Sequence, residues 1–291
     1  EKLGLPAGIP VAVPMIDSHA SMPGCGADAE GDVVAVIGTS ACYLMNGTTA
    51  NCIPGIYSVA WQTCVPNLYS YEGGQSCAGD AIGWFMRCGV PAEYAREAEE
   101  RHLSLYDLLC EKCAPQEPGQ SGLLALDWWN GVRSPLMQPN QTGLLAGLTL
   151  ATRPEEIYRA YLEAICYGAR RILETFEQGG HPVKRLFAAG GIPAKNPFMM
   201  QLLADITGKS VLVADGQQTS AQGSAILGAA AASGADAQAL AVCIQRMHLP
   251  VAACYEPNPS HCAKYETLYA RYRALTEIFA ANDLLQNRPA E

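Results

Sequence analysis

The sequence predicts a layered α/β domain. Three observations carry this: a strand meander follows a Gly- and Pro-rich lead-in, helices then alternate with apolar strands, and glycine turns stand at the strand ends. The meander begins with VVAVI at 33–37, a β-branched apolar run of the kind that forms a buried strand. Gly38, Thr39 and Ser40 turn the chain back and ACYLM forms a second strand, so the segment is a β-hairpin with a Gly-Thr-Ser tip. YSVAWQT adds a further strand, and YEGG at 71–74 reads as a turn. Residues 76–88 place Ile82, Phe85 and Met86 at near-helical spacing, with Ser76 as the N-cap. PAEYAREAEERHLSLYDLLCEK predicts one charged, solvent-facing helix. LLALDWWNG then gives a short strand and a loop opened by Asn130-Gly131.

The second half carries the clearest helix, PEEIYRAYLEAICYGARRILETFEQGG. Pro154 sits in its first turn, Glu155 and Glu156 lie at the positive end of its dipole, and Gly179 and Gly180 stop it. KRLFAAGG is a strand running into a glycine turn, 196–207 a helix, and SVLVAD another strand. AQGSAILGAAAASG is a helix of small residues suited to close packing, and 261–285 a helix with Tyr and Leu on one face. Residues 1–30 read as a connector plus a loop around Asp17 and His19.

The chain has 291 residues, 49% hydrophobic, enough to bury a sizeable core and too apolar for a disordered chain. Its 28 acidic and 19 basic residues give a formal charge of −9, a surface that repels phosphate backbones and disfavours nucleic acid as a partner. No run approaches the ~20 apolar residues of a membrane helix, and Pro and Gly interrupt every candidate signal-peptide core near the N-terminus. The opening segment reads like a chain that begins inside a larger one. Twelve scattered cysteines, several in apolar contexts, suit free thiols in a reducing cytoplasm. Cys110 and Cys113 form one CxxC with no second ligand pair at zinc spacing, so they read as two buried thiols one helical turn apart and no metal site is expected.

Three glycine-centred turns point to nucleotide chemistry: Gly38-Thr39-Ser40, Gly79 at a helix start, and Gly190-Gly191 before the 196–207 helix. Glycine admits close backbone approach, and a helix N-terminus offers free N–H groups to phosphate. Neither a GxxxxGK(S/T) loop nor a GxGxxG after a first strand is present, which excludes a P-loop and disfavours a Rossmann site. Asp17, in MIDSHA, suits either a general base or the N-cap of a following turn.

GLPAGIPVAVPMIDSHA, VIGTSACYL, YEGGQSCAGDAIGWF, LLALDWWNGVRSP, TGLLAGLTLATRPEEIYRAYLEAICYGARR, FAAGGIPAKNPFMMQLLADITGK and QGSAILGAAAASG resemble, in this order, the C-terminal half of the FGGY carbohydrate kinases. LALDWWNG and EEIYRAYLEA look most like the members acting on L-ribulose. The resemblance implies an actin-like, ribonuclease H-like domain, with ATP, Mg2+ and a sugar held in a cleft against a missing N-terminal kinase domain. It implies residues 1–30 as connector and catalytic-Asp loop, 31–235 as the ATP-binding domain and 236–291 as a helical segment packed on it. By position, Asp17 matches the family's catalytic base, which takes the proton of the attacking sugar hydroxyl. Gly38, Thr39 and Ser40 match a phosphate hairpin, and Gly79 a glycine near the phosphates. Gly190, Gly191 and Asn196 match the adenosine motif, and Glu72, with Asp17, a sugar contact. Val13-Pro14-Met15 stands where relatives often have more glycine, Lys195 and Pro197 where they vary, and Gln222 where some have an acid. The implied reaction is phosphorylation of L-ribulose. D-ribulose, ribitol or xylulose as substrate, or a non-catalytic nucleotide-binding module, remain as alternatives. An apolar docking face without its partner domain would favour self-association, so a homodimer is also expected.

Overall fold

The computed structural model describes residues 4–216, 218–282 and 286. Its centre is β1 (Asp32–Ile37), which pairs antiparallel with β2 (Ala41–Gly47) through the hairpin that the sequence predicts. β2 pairs antiparallel with β4 (Tyr69–Gln75), and β4 with the edge strand β3 (Ser58–Trp61). On the other side of β1, β7 (Arg185–Ala189) and β8 (Val211–Ala214) add in parallel, and β9 (Val251–Tyr255) closes the sheet antiparallel. The order is β3-β4-β2-β1-β7-β8-β9, and β5 (Leu124–Leu126) and β6 (Leu144–Ala146) form a separate two-stranded sheet.

β1 reads as an unbroken apolar run because both of its faces are covered. Val33, Ala35 and Ile37 point into a core shared with α5 (Pro154–Gln178) and α6 (Pro197–Thr207). Val34 points into a second core with Met22 and Cys25 of α1 (Asp17–Cys25). α1 packs in turn on α7 (Thr219–Ser233), the small-residue helix. A Cβ on Gly24 would overlap the Thr219 carbonyl, and one on Gly223 the Ala20 carbonyl. Beside α7 lies α8 (Ala237–Met247). Among the described residues no helix is long and apolar enough to cross a membrane, and all twelve cysteines are unpaired thiols.

Several local expectations are corrected. YEGG is not a turn but the middle of β4. Gly73 is a site of close approach, where a Cβ would meet Ile172 of α5 at 2.7 Å, whereas one on Gly74 would lie 3.3 Å from the Ala41 carbonyl and in ordinary contact with Arg133. Ser76 is not an N-cap, because β4 runs to Gln75 and α2 (Gly79–Cys88) starts after Ala78. The single charged helix is two, α3 (Ala92–Glu100) and α4 (Leu105–Cys113). His102 adopts a left-handed φ of 54° between them, and Ser104 caps α4 by accepting from the Asp107 amide at 3.1 Å. α4 is not wholly solvent-facing, since Leu108, Leu109 and Cys113 are buried; of the CxxC pair, Cys110 is only half-buried. The loop around Asp17 is helix α1. The C-terminal segment 236–291, read as helical, also supplies β9 to the main sheet. The last helix, α9, spans Pro259–Asn282 and buries Tyr265, Tyr269 and Tyr272; the final residues of the 261–285 expectation lie outside the described residues.

One buried ion pair ties the helical layer together. On α5, Arg159 donates from Nε to Glu163 Oε1 at 2.8 Å, from Nη1 to the Cys113 and Gln116 carbonyls, and from Nη2 to the Tyr265 hydroxyl at 3.0 Å. Tyr265 of α9 donates back to Glu163 at 2.8 Å. Removing one partner of a buried pair strands the other charge, at a cost of about 3–5 kcal/mol, whereas an apolar replacement of both is often nearly neutral. Arg159→Leu is therefore expected to lower the denaturant midpoint strongly, and Arg159→Leu with Glu163→Leu to recover part of the loss, since the Cys113 and Gln116 carbonyls and the Tyr265 hydroxyl stay without their partners. Equal destabilisation of the single and double variants would contradict this account.

Candidate active site

Two cavities open at the hairpin and along the β2–β4 ladder. The first, about 590 Å³, is lined by Gly38, Gly79, Ile82, Ser104, Tyr106, Asp107, Cys110, Tyr158, Gly191, Ile192, Lys195 and Asn196. It draws together all three glycine turns found in the sequence, although they lie far apart along the chain.

Backbone hydrogen bonding sets the geometry of this cavity. The amides of Ala78 and Asp80 donate to the Thr39 carbonyl at 2.8 and 3.2 Å, and the Gly79 amide donates to the Gly38 carbonyl at 2.9 Å. The start of α2 is thus docked on the hairpin tip. This corrects the expectation of free amides there: what Gly79 contributes is the absence of a side chain. A Cβ at 79 would lie 2.7 Å from the Gly38 oxygen and 3.0 Å from Ile192. Thr39 and Ser40 are exposed at the tip, so their outer surface remains open to a ligand.

Gly190 and Gly191 are glycines for different reasons. Gly190 has φ +104°, and a Cβ there would meet the Ile37 carbonyl at 2.7 Å. Gly191 is exposed, and a Cβ would meet no atom within 4 Å. No protein neighbour requires glycine at 191. Asn196 caps α6 by accepting from the Met199 amide at 2.9 Å, and its Nδ2 donates to the Tyr158 hydroxyl at 3.2 Å. The Cys110 thiol lies 3.4 Å from the same hydroxyl. Burial pushes both the Cys110 thiol and the Tyr158 hydroxyl above their ordinary values, so these two groups are uncharged at neutral pH.

The second cavity, about 570 Å³, is lined by 12–16, His19, Ser58, Ala60, Gln62, Thr63, Cys64, Glu72, Leu227 and Leu240. Glu72 lies on β4 opposite Leu44, three residues from the Ala41–Gln75 pair that adjoins the hairpin tip. At ~3.4 Å of rise per residue that is about 10 Å along the strand. Asp17 is exposed and opens α1. Its Oδ1 accepts from the Ser18 amide at 2.8 Å, while the N-cap position is held by Ile16, so Asp17 does not itself occupy the cap. It lies outside both cavity walls, but Met15 and Ile16 before it and His19 after it line the second.

The structure thus gathers Gly38, Gly79, Gly191 and Asn196 around one cavity, with Thr39, Ser40 and Gly190 adjoining it, and sets Glu72 and the approach to Asp17 at another. The sequence reading missed Tyr106, Asp107 and Tyr158 in the first cavity. Only SLYD, a capping pattern, marked any of that segment. Arg133, which lines neither cavity, is half-buried with its guanidinium 4.7 Å over the Tyr57 ring. Among the described residues no three His, Cys, Asp or Glu side chains are grouped to hold a metal ion.

Residues 33–232 match the model of the C-terminal domain of the FGGY family of carbohydrate kinases. The chain is 42% identical over 289 residues to a ribulokinase of Bacillus licheniformis, covering 99% of this chain and 52% of that protein. It is 39% identical over 278 residues to a ribulokinase of Staphylococcus aureus, covering 96% of this chain and 50% of that protein. The chain therefore spans about half the length of the curated relatives it matches. Among solved structures it is similar to a xylulose kinase from Rhodospirillum rubrum, at TM-score 0.80 and 27% identity over 96% of this chain and 53% of that one. It shares the fold of a gluconate kinase from Lactobacillus acidophilus, at TM-score 0.77 and 21% identity over 91% of this chain and 51% of that one.

Two of the glycines lining the first cavity, Gly79 and Gly191, separate experimentally. Gly191→Ala is expected to leave stability within about 0.5 kcal/mol of wild type, since its Cβ enters open space. Gly79→Val is expected to cost about 1–3 kcal/mol, because the side chain is driven into the docked hairpin carbonyl. Denaturant melts of the two variants check this, and a large loss for Gly191→Ala would show a packing role for Gly191.

Proposed function

The chain belongs to the FGGY family of carbohydrate kinases, and from that premise we propose that it is the nucleotide-binding, base-bearing half of an L-ribulose kinase. The reaction moves the γ-phosphoryl group of Mg·ATP onto the terminal hydroxyl of L-ribulose, giving L-ribulose 5-phosphate and ADP. Residues 31–235 form the nucleotide-binding unit and 1–30 the connector to an N-terminal half that completes the cleft. A cytoplasmic location suits twelve unpaired thiols.

The observation that carries this reading is the pairing of two cavities along one strand ladder, with the glycine turns at one and a carboxylate at the other. The nucleotide occupies the first cavity. Gly191, which nothing in the protein obliges to be glycine, lets adenosine approach the backbone, with Gly190 and Asn196 beside it. The exposed surface of Gly38, Thr39 and Ser40 faces the phosphates, and Gly79 lets α2 close on that tip. The sugar occupies the second cavity, where Glu72 accepts its hydroxyl hydrogens. The phosphates span the distance between the two.

Asp17 takes the proton as the sugar oxygen attacks. Its carboxylate sits in the first turn of α1, restrained through Oδ1 and otherwise exposed, so an oxygen is left for the incoming hydroxyl. Phosphoryl transfer rests mainly on positioning and charge neutralisation. Mg2+ arrives on the nucleotide and supplies part of that neutralisation. A xylulose kinase is the second reading, favoured by the likeness to the Rhodospirillum rubrum structure. A sugar panel that ranks xylulose above L-ribulose would select it.

Two measurements test the proposal. Calorimetric titration of this chain with Mg·ADP is expected to show saturable binding, lost in Gly191→Val; a variant that binds as wild type would remove Gly190-Gly191 from the adenosine site. In the two-domain kinase, Asp17→Asn is expected to lower kcat by about 10²–10⁴ while nucleotide affinity stays within about twofold. An unchanged kcat would remove Asp17 as the base.

A further inference from the structure

The second cavity contains a buried group that the chemistry above leaves unused. His19 is only 6% exposed and lines that cavity with Glu72. Its Nδ1 is buried and has no hydrogen-bond partner. Its Nε2 lies 3.7 Å from Glu72 Oε2, too far for a formed hydrogen bond but close enough for direct electrostatic contact. The other oxygen, Oε1, lies 3.7 Å from the Cys42 thiol. The carboxylate is therefore bracketed by two donors, neither of which saturates it.

A buried polar side chain normally has its polar atoms paired, so a ring with an orphaned nitrogen is unusual. The carboxylate faces Nε2, which assigns the ring hydrogen to that nitrogen. With no partner at Nδ1, the polar anchor of the ring is Glu72. The dependence is mutual, because a glutamate on a cavity wall has several rotamers open to it. Connectivity adds to this. His19 follows Asp17 by two residues on α1, and α1 is seated on α7 by the contacts at Gly24 and Gly223. Glu72 belongs to β4. His19 is thus the bridge between the helix that opens with Asp17 and the strand that carries Glu72.

We propose that His19 is a positioning residue for sugar binding: it orients the Glu72 carboxylate toward the sugar hydroxyls and ties that carboxylate to the helix bearing Asp17. The inference rests on the reading of Glu72 as a sugar contact. His19 acts through Glu72, so its contribution exists only while the carboxylate is present. The nucleotide cavity does not include it.

The test is a double-mutant cycle in the two-domain kinase, read by calorimetric affinity for L-ribulose, by affinity for Mg·ADP and by thermal stability. His19→Leu is expected to weaken L-ribulose binding about tenfold in the wild-type background and less than about twofold in the Glu72→Gln background, the behaviour of a coupled pair. His19→Gln, which returns an N–H near the Nε2 position, is expected to restore affinity to within about threefold. Mg·ADP affinity should stay constant throughout. A loss of L-ribulose affinity of equal size in both backgrounds would overturn the coupling, as would parallel losses for both ligands, which mark a structural role. If His19→Leu fails to fold, His19→Asn, whose amide stops short of the Nε2 position, takes its place in the same cycle and is held to the same outcomes. Glu72→Gln binding L-ribulose as wild type would instead overturn the sugar contact itself, and with it this inference.

Discussion

The burial of β1 on both faces is the constraint on which the rest of the molecule depends. Alternate residues of this one strand feed two cores, Val33, Ala35 and Ile37 on the α5 side and Val34 on the α1 side. Neither set can slip by one position without exchanging cores, so the register of β1 against β2 and β7 is fixed. A fixed register sets the hairpin tip at a defined height above the sheet. The tip carbonyls then receive the amides of Ala78, Gly79 and Asp80, and the wall of the first cavity follows. The same ladder, carried across to β4, sets Glu72 at its distance from the tip. The spacing of Glu72 from the hairpin tip is a property of strand pairing.

Much of this was legible in the sequence. The VVAVI–GTS–ACYLM hairpin, the long α5 helix, the Gly190-Gly191 turn and the close-packing α7 helix all carry local signals that the structure honours. Two of the failures share a cause, a distant neighbour that outweighs local propensity, while the break between α3 and α4 is local, at His102 and the Ser104 cap. Gly73 suggests a turn until Ile172 is seen to need the space. The DSHASMPGC segment contains Pro23 and Gly24 and reads as loop, yet it is helical because its backbone lies directly against α7. For the candidate site, the glycine turns could be found because each is local. Tyr106, Asp107 and Tyr158 could not, since α4 and α5 bring them to the cavity from segments with no binding pattern of their own. His19 offered only its place in a loop; the structure puts it on α1, buries it and leaves Nδ1 without a partner.

The molecule divides labour between backbone and side chain. At the first cavity the main features are main-chain geometry and missing Cβ atoms. At the second it is a strand carboxylate, Glu72, with Asp17 at a helix start just outside the wall. Main-chain geometry is hard to alter by substitution, whereas a cavity lined by side chains is readily reshaped. This suits a family, the FGGY kinases, in which relatives of similar architecture carry the names of different sugars.

The α7 helix shows how unevenly such an architecture can drift. Gly223 and Gly228 are the same residue in one helix, five positions apart. A methyl group on the first would overlap the Ala20 carbonyl, while one on the second would meet nothing within 4 Å. Over evolutionary time the second can be replaced freely, and the first only if α1 moves away and carries Asp17 with it. Glycine at 223 therefore marks an intact seating of that aspartate in distant descendants of this chain, and glycine at 228 marks nothing.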